Sequence, residues 1–464
     1  MKALKLVFLC FLIINLQAVP LYAENLGIDA DVLPSAPLTL SQAIDLALIR
    51  NPDLHAAQAR IQMAQGRLKE VEAAFYPQFK AGLSYVSSNN PSRAFGMIVA
   101  QRRFDFGMDI NDPGFQEDFR PEIGMQWSLF RGGQDYYQRQ AAKLGIDATE
   151  AQKTAIRNGL ATAVSASFYA LLEAPQRIDV AKRTLTTVSK ELEFMRARKA
   201  QGMALKSDVL SLEVRLAQAQ EQQIQALNAK EAAKAALRTL LAFPPEARLE
   251  VISGDSTQVP ATPGEFNDWL QKALTHRPEL IAADKQVKAQ EKVVKAAQGA
   301  RLPRLNVFAT YGQNSKNPQF STNKDNLTMG VQAEVDLFTG GAISARIHQA
   351  KQKLDEIRAL RQQTQLQVEK EVKQAWLNLR EALARLEVAK RALAAADEAL
   401  KLVRAQHRGG TATVTRFLEA ETDAAAARLH LITARFYALV AEAELKRATG
   451  EWIHRESSDD PPFN

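Results

Sequence analysis

The 464-residue sequence predicts a mostly α-helical protein with a small transmembrane β part, built from a duplicated unit. Three observations predict this fold class: an internal repeat, apolar heptads that continue far beyond an ordinary helix, and short runs that alternate strictly between apolar and polar residues. With 46% hydrophobic and 24% charged residues, the chain has the composition of a folded protein rather than a disordered one.

The N-terminus has the pattern of a secretory signal peptide. Lys2 precedes the apolar run Leu6 to Leu16, and Ala23 supplies the small residue expected before a cleavage site. The run is shorter than the ~20 apolar residues that a spanning helix needs. The only cysteine, Cys10, lies inside this run, so we expect the exported chain to have no disulfide and no lipid anchor on cysteine.

The chain repeats itself. Asn51-Pro52 returns as Arg277-Pro278, an offset of 226 (278 minus 52), whereas Gly132-Gly133 returns as Gly340-Gly341, an offset of 208 (340 minus 132). The 18-residue difference (226 minus 208) is confined to the loop between two predicted strands, where insertions are tolerated. The predicted segments are a signal peptide, an N-terminal extension, structural repeat 1, structural repeat 2 and a C-terminal tail, at 1–23, 24–39, 40–260, 261–450 and 451–464.

Apolar residues recur every seven positions along the later part of each repeat. In repeat 2 they are Val372, Leu379, Leu386, Leu393 and Leu400. An ordinary amphipathic helix drifts off a seven-residue period over four heptads, so the pattern favours coiled-coil helices. Long helices are expected at about 133–201 and 342–407, each roughly 100 Å long at 1.5 Å per residue. Pro175 lies in the first and is expected to kink or interrupt it.

Each long helix is predicted to turn at a glycine-containing tip, at about 201–207 and 409–414, into a helix half as long. A further short helix is predicted to begin at Pro52 and at Pro278, because proline suits the first helical turn. The summed lengths of the two short helices nearly match one long helix. We therefore expect the short helices to stack end to end beside the long one.

Four runs alternate between apolar and polar residues, at about 77–87, 119–130, 303–313 and 327–338. Segments of about ten residues with one apolar and one polar face fit a transmembrane β-barrel, and a soluble sheet with one wet face is the alternative. Four strands alone would leave open edges in lipid, where unpaired backbone groups are not tolerated. An oligomer is therefore predicted to complete the barrel.

The whole arrangement resembles the TolC-type outer-membrane efflux family. The resemblance rests on duplicated motifs in the same order in both halves: Asn51-Pro52 and Arg277-Pro278, Pro77 and Pro303, Leu129-Phe130-Arg131-Gly132-Gly133 and Leu337-Phe338-Thr339-Gly340-Gly341, Gly202 and Gly410. It implies a homotrimer with a twelve-stranded β-barrel in outer-membrane lipid, continued by a periplasmic α-helical barrel. It further implies passive conduction of small molecules, with an inner-membrane transporter and a periplasmic adaptor protein as partners.

The resemblance also implies site residues. The tips that dock the adaptor would be Gln201, Gly202, Met203, Gly409, Gly410 and Thr411. The periplasmic gate would comprise Ser207, Asp208, His407, Arg416 and Glu419. Glycine at the tips is also expected to supply positive-φ turn geometry. Because 416 minus 208 equals the repeat offset, we hypothesise that Asp208 pairs with Arg416, or alternatively with His407, and that this holds the resting duct shut.

Other function classes lack their motifs. The six histidines show no metal-ligand spacing, and there is no phosphate loop, nucleophile elbow or dinucleotide fingerprint, so no enzyme, metal site or cofactor is predicted. Charges alternate in sign rather than forming basic blocks, which argues against nucleic-acid binding. Two alternatives stay open: the outer-membrane channel of a type I protein secretion system, and a non-channel periplasmic coiled-coil protein.

Overall fold

A computed structural model describes residues 36–253, 257–320 and 323–452. The predicted signal peptide, most of the N-terminal extension and most of the C-terminal tail lie outside these residues. The helices are α1 (Leu40–Arg50), α2 (Pro52–Glu72), α3 (Pro91–Ala100), α4 (Gln134–Ala200), α5 (Lys206–Leu240), α6 (Phe266–His276), α7 (Pro278–Gly299), α8 (Ala342–Arg408) and α9 (Val414–Thr449). The strands are β1 (Gln78–Ser88), β2 (Gln116–Arg131), β3 (Arg304–Gln313) and β4 (Asp325–Glu334).

The long helices α4 and α8 have 67 residues each and organise the helical part. Helix α4 packs against α2 and α5 and also against α7 and α9, while α8 packs against α7 and α9. The first positions of the heptads are buried in this layer, with Val164, Leu379 and Leu386 at most 2% exposed. The layer therefore has one border formed by α2 and α5 and another formed by α8.

The two short helices beside each long one are joined by equivalent contacts. The Asn51 side-chain amide donates to the carbonyl oxygen of Leu240 at the end of α5, at 3.0 Å. The Arg277 guanidinium donates to the carbonyl oxygen of Ala448 at the end of α9, at 3.1 Å. Both carbonyls belong to the last helical turn, where no intrahelical donor is left. The residue before each proline thus bridges two helix ends.

Arg277 differs from Asn51 in carrying a charge that is 3% exposed. Its guanidinium also donates to Glu279, at 2.9 Å, and to Glu371, at 2.8 Å. Burial raises the pKa of the Glu371 carboxyl, but hydrogen bonds from Arg277 and Gln367 outweigh it and hold the pKa below its ordinary value. The junction in repeat 2 is therefore a buried ionic network, whereas that in repeat 1 is neutral.

The four strands form one antiparallel sheet in the order β1-β2-β3-β4. The central pairing, β2 with β3, joins the two repeats, and its register shifts between Ser128 and Phe130. Within the described residues, β1 and β4 each pair on one side only. The sheet thus has one edge from each repeat, as the helical layer does.

Three features differ from the sequence-based expectations. Helix α4 runs through Pro175 without interruption, and this proline is exposed. Strand β4 ends at Glu334 rather than near Phe338, because the pairing with β3 ends at Arg304 and the later residues have no partner strand in the described part of the chain. The short helices α1, α3 and α6 were not predicted, since each has only 10 or 11 residues and no long periodic pattern marks it.

Candidate channel surfaces and tip contacts

The sheet presents one continuous apolar face. Register places Phe79 opposite Met125, Met125 opposite Ala309, and Ala309 opposite Met329. Odd-numbered positions of all four strands therefore share that face up to the register shift in β2, beyond which Phe130 lies opposite Leu305. Its border side chains are exposed: Leu83 is 66%, Met329 68% and Val331 67% exposed. The opposite face carries polar residues such as Lys80 and Gln126. An exposed apolar surface of this extent matches an apolar environment rather than water.

The two tips are built alike. In the first, Gly202 has φ +77° and the amide of Met203 donates to the carbonyl oxygen of Arg198 at 2.9 Å. In the second, Gly410 has φ +78° and the amide of Thr411 donates to the carbonyl oxygen of Gln406 at 2.9 Å. Positive φ with a bond back to the helix end is the usual glycine termination of a helix. Each tip thus ends its long helix sharply.

Not every tip glycine has the expected conformation. Gly409 has φ −76° and lies in the right-handed helical region, so the expectation of positive-φ geometry was wrong at this position. It is the C-cap of α8, and the turn is made by Gly410 one residue later. Gln201 caps α4 in the same way, and Met203 is 57% exposed at the first tip. The tip glycines are therefore not equivalent.

His407 connects the second tip to the first repeat. Its ring is 4% exposed and stacks on Phe417, with centroids 5.4 Å apart. Nδ1 lies 3.0 Å from the carbonyl oxygen of Ala412, and Nε2 lies 2.9 Å from a carboxyl oxygen of Glu191 on α4. A carbonyl oxygen only accepts, so the Ala412 contact requires a hydrogen on Nδ1, which leaves Nε2 to form the hydrogen bond with the Glu191 carboxyl group. This contact joins α4 to the end of α8.

The other predicted gate residues lie at the starts of α5 and α9. Arg416 pairs with Glu419 on its own helix at 3.2 Å, and both side chains are 57% exposed. Ser207 and Asp208 are in the first turn of α5, and Asp208 has no ion pair within the described part of the chain. The hypothesised pair between Asp208 and Arg416 or His407 is therefore not formed within one chain. Between chains it stays a prediction.

A buried hydrophobic cluster also connects the two tips. Val414, the first residue of α9, is buried in a cluster with residues of α4 and α5, namely Val188, Leu192, Met195, Val209 and Leu212. Just beyond, Glu421 of α9 is 2% exposed and lies 3.4 Å from Arg404 of α8. Burial raises the pKa of the Glu421 carboxyl, with Arg404 acting in the opposite direction.

Sequence reasoning did not find Glu191 or Glu421. Glu191 immediately precedes the buried Leu192, and Glu421 lies seven residues after the buried Val414. A glutamate at either position is expected on the surface, because glutamate is rarely fully buried without a partner. Glu191 is 216 residues away from His407, so no local pattern links the two. Within the described residues, no helix is both long and apolar enough to cross a membrane, and no cluster of three or more His, Cys, Asp or Glu side chains is placed to hold a metal ion.

A two-faced sheet joined to paired helical rods about 100 Å long, with tight tips at the far end, defines a channel protein with one apolar belt. The family model for outer membrane efflux proteins matches residues 43–242 and 269–451. The chain belongs to this family and is an outer-membrane efflux protein. The two matched segments follow the two halves of the chain.

Individual relatives support the same assignment. Protein CyaE of Bordetella pertussis is 26% identical over 431 residues, covering 92% of this chain and 86% of that protein. Outer membrane efflux protein BepC of Brucella suis is 25% identical over 423 residues, covering 89% and 85%. The crystal structure of the outer membrane protein VceC from Vibrio cholerae has the same fold, with a TM-score of 0.75, 21% identity and coverage of 89% and 96%.

Proposed function

We propose that three copies of this chain form the exit duct of a tripartite efflux system, conducting small molecules passively across the outer membrane. The observation that carries the proposal is the sheet, whose apolar face is continuous over four strands while both edge strands lack a second partner in the described chain. Backbone groups at an open edge are not tolerated in lipid, so further copies must cover these edges. Three copies give a closed twelve-stranded barrel.

The helical layer supports the same assembly. Its borders carry exposed apolar side chains, including Val214 and Ile224 on α5 and Val388 and Leu402 on α8, each more than half exposed. One border comes from repeat 1 and the other from repeat 2, so copies join head to tail. Such heterologous contacts generate a ring when the rotation closes. The ring of helices would form the periplasmic part of the duct.

The two tips are the proposed contact with a periplasmic adaptor, which links the duct to an inner-membrane transporter. The tips lie at the end of the long helices opposite to the sheet, and the turn of each tip is exposed to solvent. The relative BepC is named an outer membrane efflux protein, and the family shares that description. The first turns of α5 and α9, with Asp208 and Arg416, are proposed to form the gate between neighbouring copies.

The test has three parts. Native mass measurement in detergent is expected to give a trimer, and the purified protein is expected to form ion-conducting channels in a planar bilayer. Cells that lack the chain are expected to accumulate small-molecule substrates of the matching transporter, and the restored gene to reverse this. A monomer without channel activity would contradict the proposal, and export of a polypeptide in place of small molecules would favour the secretion alternative.

A further inference from the structure

The two β-hairpins pair their strands in equivalent registers. Leu83 faces Pro121 in the first hairpin, and adding the offsets 226 and 208 gives Ala309 and Met329, which face each other in the second. The same arithmetic converts pairs of the first hairpin into all 10 pairs of β3 with β4. The sequence repeat is therefore a structural repeat at the level of single residues.

Only one strand pairing joins different repeats. It is β2 with β3, the internal junction, where Met125 faces Ala309 and Ile123 faces Tyr311. Its counterpart would pair β4 with β1, and these are the two edge strands of the sheet. Both strands cannot meet within one four-stranded sheet in this order. The counterpart can form only between two copies.

We propose that β4 of one protomer pairs with β1 of the next in the register of the internal junction. The inference rests on the proposed trimer and adds the contact that closes it. Each pair follows by adding 208 to a β2 residue and subtracting 226 from its β3 partner. The subunit junction defined in this way pairs Val331 with Tyr85, Ala333 with Leu83, Val335 with Ala81 and Asp336 with Lys80.

The side chains agree with this register. Apolar residues face apolar residues on one side of the sheet, and the polar side places Asp336 opposite Lys80. The equivalent internal pair is Ser128 with Asn306, whose side chains form a hydrogen bond at 2.7 Å. Asp336 already accepts from Arg304 at 2.9 Å, and Lys80 is exposed, with no ion pair among the described residues. Opposite charges directly across two strands stabilise the pairing.

Slipped registers match less well or lack the support of the repeat. A slip by one residue would set Ala333 opposite Gly82 or Ser84 and turn one strand's apolar face toward the polar side. A slip by two residues keeps the faces: in one direction Asp336 lies opposite Gly82 and the charge pair is lost, and in the other Glu334 lies opposite Lys80 and replaces Asp336 in the pair. Side chains therefore exclude most slips, and the equivalence with the internal junction selects the proposed register.

The early end of β4 has the same explanation. The last residues of β2, 127–131, pair with β3 but not with β1, and this pairing is enough to keep them in the strand. Their counterparts, 335–339, have no partner strand among the described residues and lie beyond the end of β4. Leu337 and Phe338 are 92% and 89% exposed, more than almost any other apolar side chain of the described chain. At the subunit junction these residues would continue the strand.

The equivalence stops at the helix ends. A Cβ atom added at Gly299 would lie 2.3 Å from the carbonyl oxygen of Gly132, so the internal junction requires glycine there. The equivalent position in repeat 1 is Ala73 (299 minus 226), which has a Cβ atom. The approach between Ala73 and Gly340 of the neighbouring copy must therefore be wider. The proposal is confined to the strands.

Disulfide cross-linking of the full-length trimer tests the register. Cys10 is the only native cysteine, so residues introduced in the strands have no competitor in the exported chain. Two adjacent pairs are needed because hydrogen-bonded and non-hydrogen-bonded pairs alternate along antiparallel strands. They are Ala333→Cys with Leu83→Cys, and Gln332→Cys with Ser84→Cys. Each double variant is oxidised in membranes and separated by denaturing electrophoresis without reductant.

The internal junction supplies the matched standards, Met125→Cys with Ala309→Cys and Gly124→Cys with Thr310→Cys. These are expected to oxidise within one chain and leave its mass unchanged. Of the two subunit pairs, the better one is expected to reach a disulfide yield within about twofold of its internal standard, because equivalent pairs have the same Cβ separation. Its products are covalent dimers and trimers. Two slipped pairs serve as negative controls, Ala333→Cys with Ala81→Cys and Ala333→Cys with Tyr85→Cys. Both are expected to give far less cross-linked dimer and trimer than the proposed pairs.

A higher yield from either slipped pair would overturn the register while leaving the trimer intact. A parent protein that is monomeric by native mass would instead contradict the proposed function. Charge reversal gives a second measurement without cysteine. Lys80→Asp is expected to lower the temperature at which the trimer dissociates in detergent, and Lys80→Asp with Asp336→Lys to restore it. Equal temperatures for parent, single and double variants would remove this ion pair from the junction.

Discussion

The contact between His407 and Glu191 offers the most direct test of how the second tip is held. Changing Glu191 to alanine leaves Nε2 of a buried ring without its partner. Leaving a buried polar group without its partner costs about 1–3 kcal/mol. The Glu191 side chain retains 14% exposure against 4% for His407, so the group left unpaired is the more buried of the two. We therefore expect a cost near the upper end of this range, about 3 kcal/mol.

The assay is hydrogen exchange of the purified protein, followed by mass spectrometry of peptides from the second tip. If local opening becomes easier by about 3 kcal/mol, amide exchange there accelerates roughly 100-fold, since each 1.4 kcal/mol is a factor of ten. Peptides from the sheet are expected to exchange as in the parent protein. The effect is local because the contact joins only α4 to the end of α8.

Two variants separate this contact from a general effect of mutation in α4. Glu191→Gln keeps a side chain that can donate to Nε2 of a neutral ring, so its exchange is expected to stay close to that of the parent. Glu193→Ala removes an exposed carboxylate two residues away and is expected to change nothing. If Glu191→Ala exchanges like the parent, the buried contact does not hold the tip and the reasoning fails.

Three further outcomes are expected. The pKa of Glu371 is lowered on folding, so its contact stabilises the chain fully above the ordinary value of 4.5, and this stabilisation is lost as pH falls below 4.5 and through the lowered folded-state pKa. Glu371→Gln should therefore lose less thermal stability than the parent between about pH 6 and pH 3. Gly410→Val forces a branched residue to φ +78° and should reduce export while trimers persist, whereas Gly409→Val, at φ −76°, should export normally; equal export by the two would exclude turn geometry as the cause. Arg416→Glu is expected to raise single-channel conductance and added Asp208→Arg to lower it again, whereas parent-like conductance of the single variant would place the gate elsewhere.

Periodic features were predictable from the sequence because they depend on neighbours a few residues away. The heptad pattern located α4 and α8, and alternation located the four strands to within a few residues, except at the end of β4. That end depends on a partner strand, which no local pattern contains. Pro175 was expected to kink or interrupt α4, and the helix is not interrupted, because packing of the helix on both sides of this exposed position outweighs the loss of one hydrogen bond.

The tip contacts were harder to predict. Resemblance located the turns and named His407, but its partner Glu191 follows from the packing of two repeats and has no signature of its own. Gly409 and Gly410 are adjacent and chemically identical, yet only the second adopts positive φ, because the helix ends between them. Motif matching identifies such a position to within one residue, whereas the backbone hydrogen bonds decide which residue makes the turn.

The equal length of α4 and α8 restricts how such a chain can change during evolution. A single inserted residue would rotate everything beyond it by about 100° and move the heptad pattern out of its packed layer. An insertion is tolerated only as whole heptads, in both long helices and in the shorter helices beside them at once. The loop from β1 to β2 carries no such restriction. Members of this family are therefore expected to differ freely in the length of their surface loops. The length of their periplasmic helices is expected to differ only in steps of seven residues.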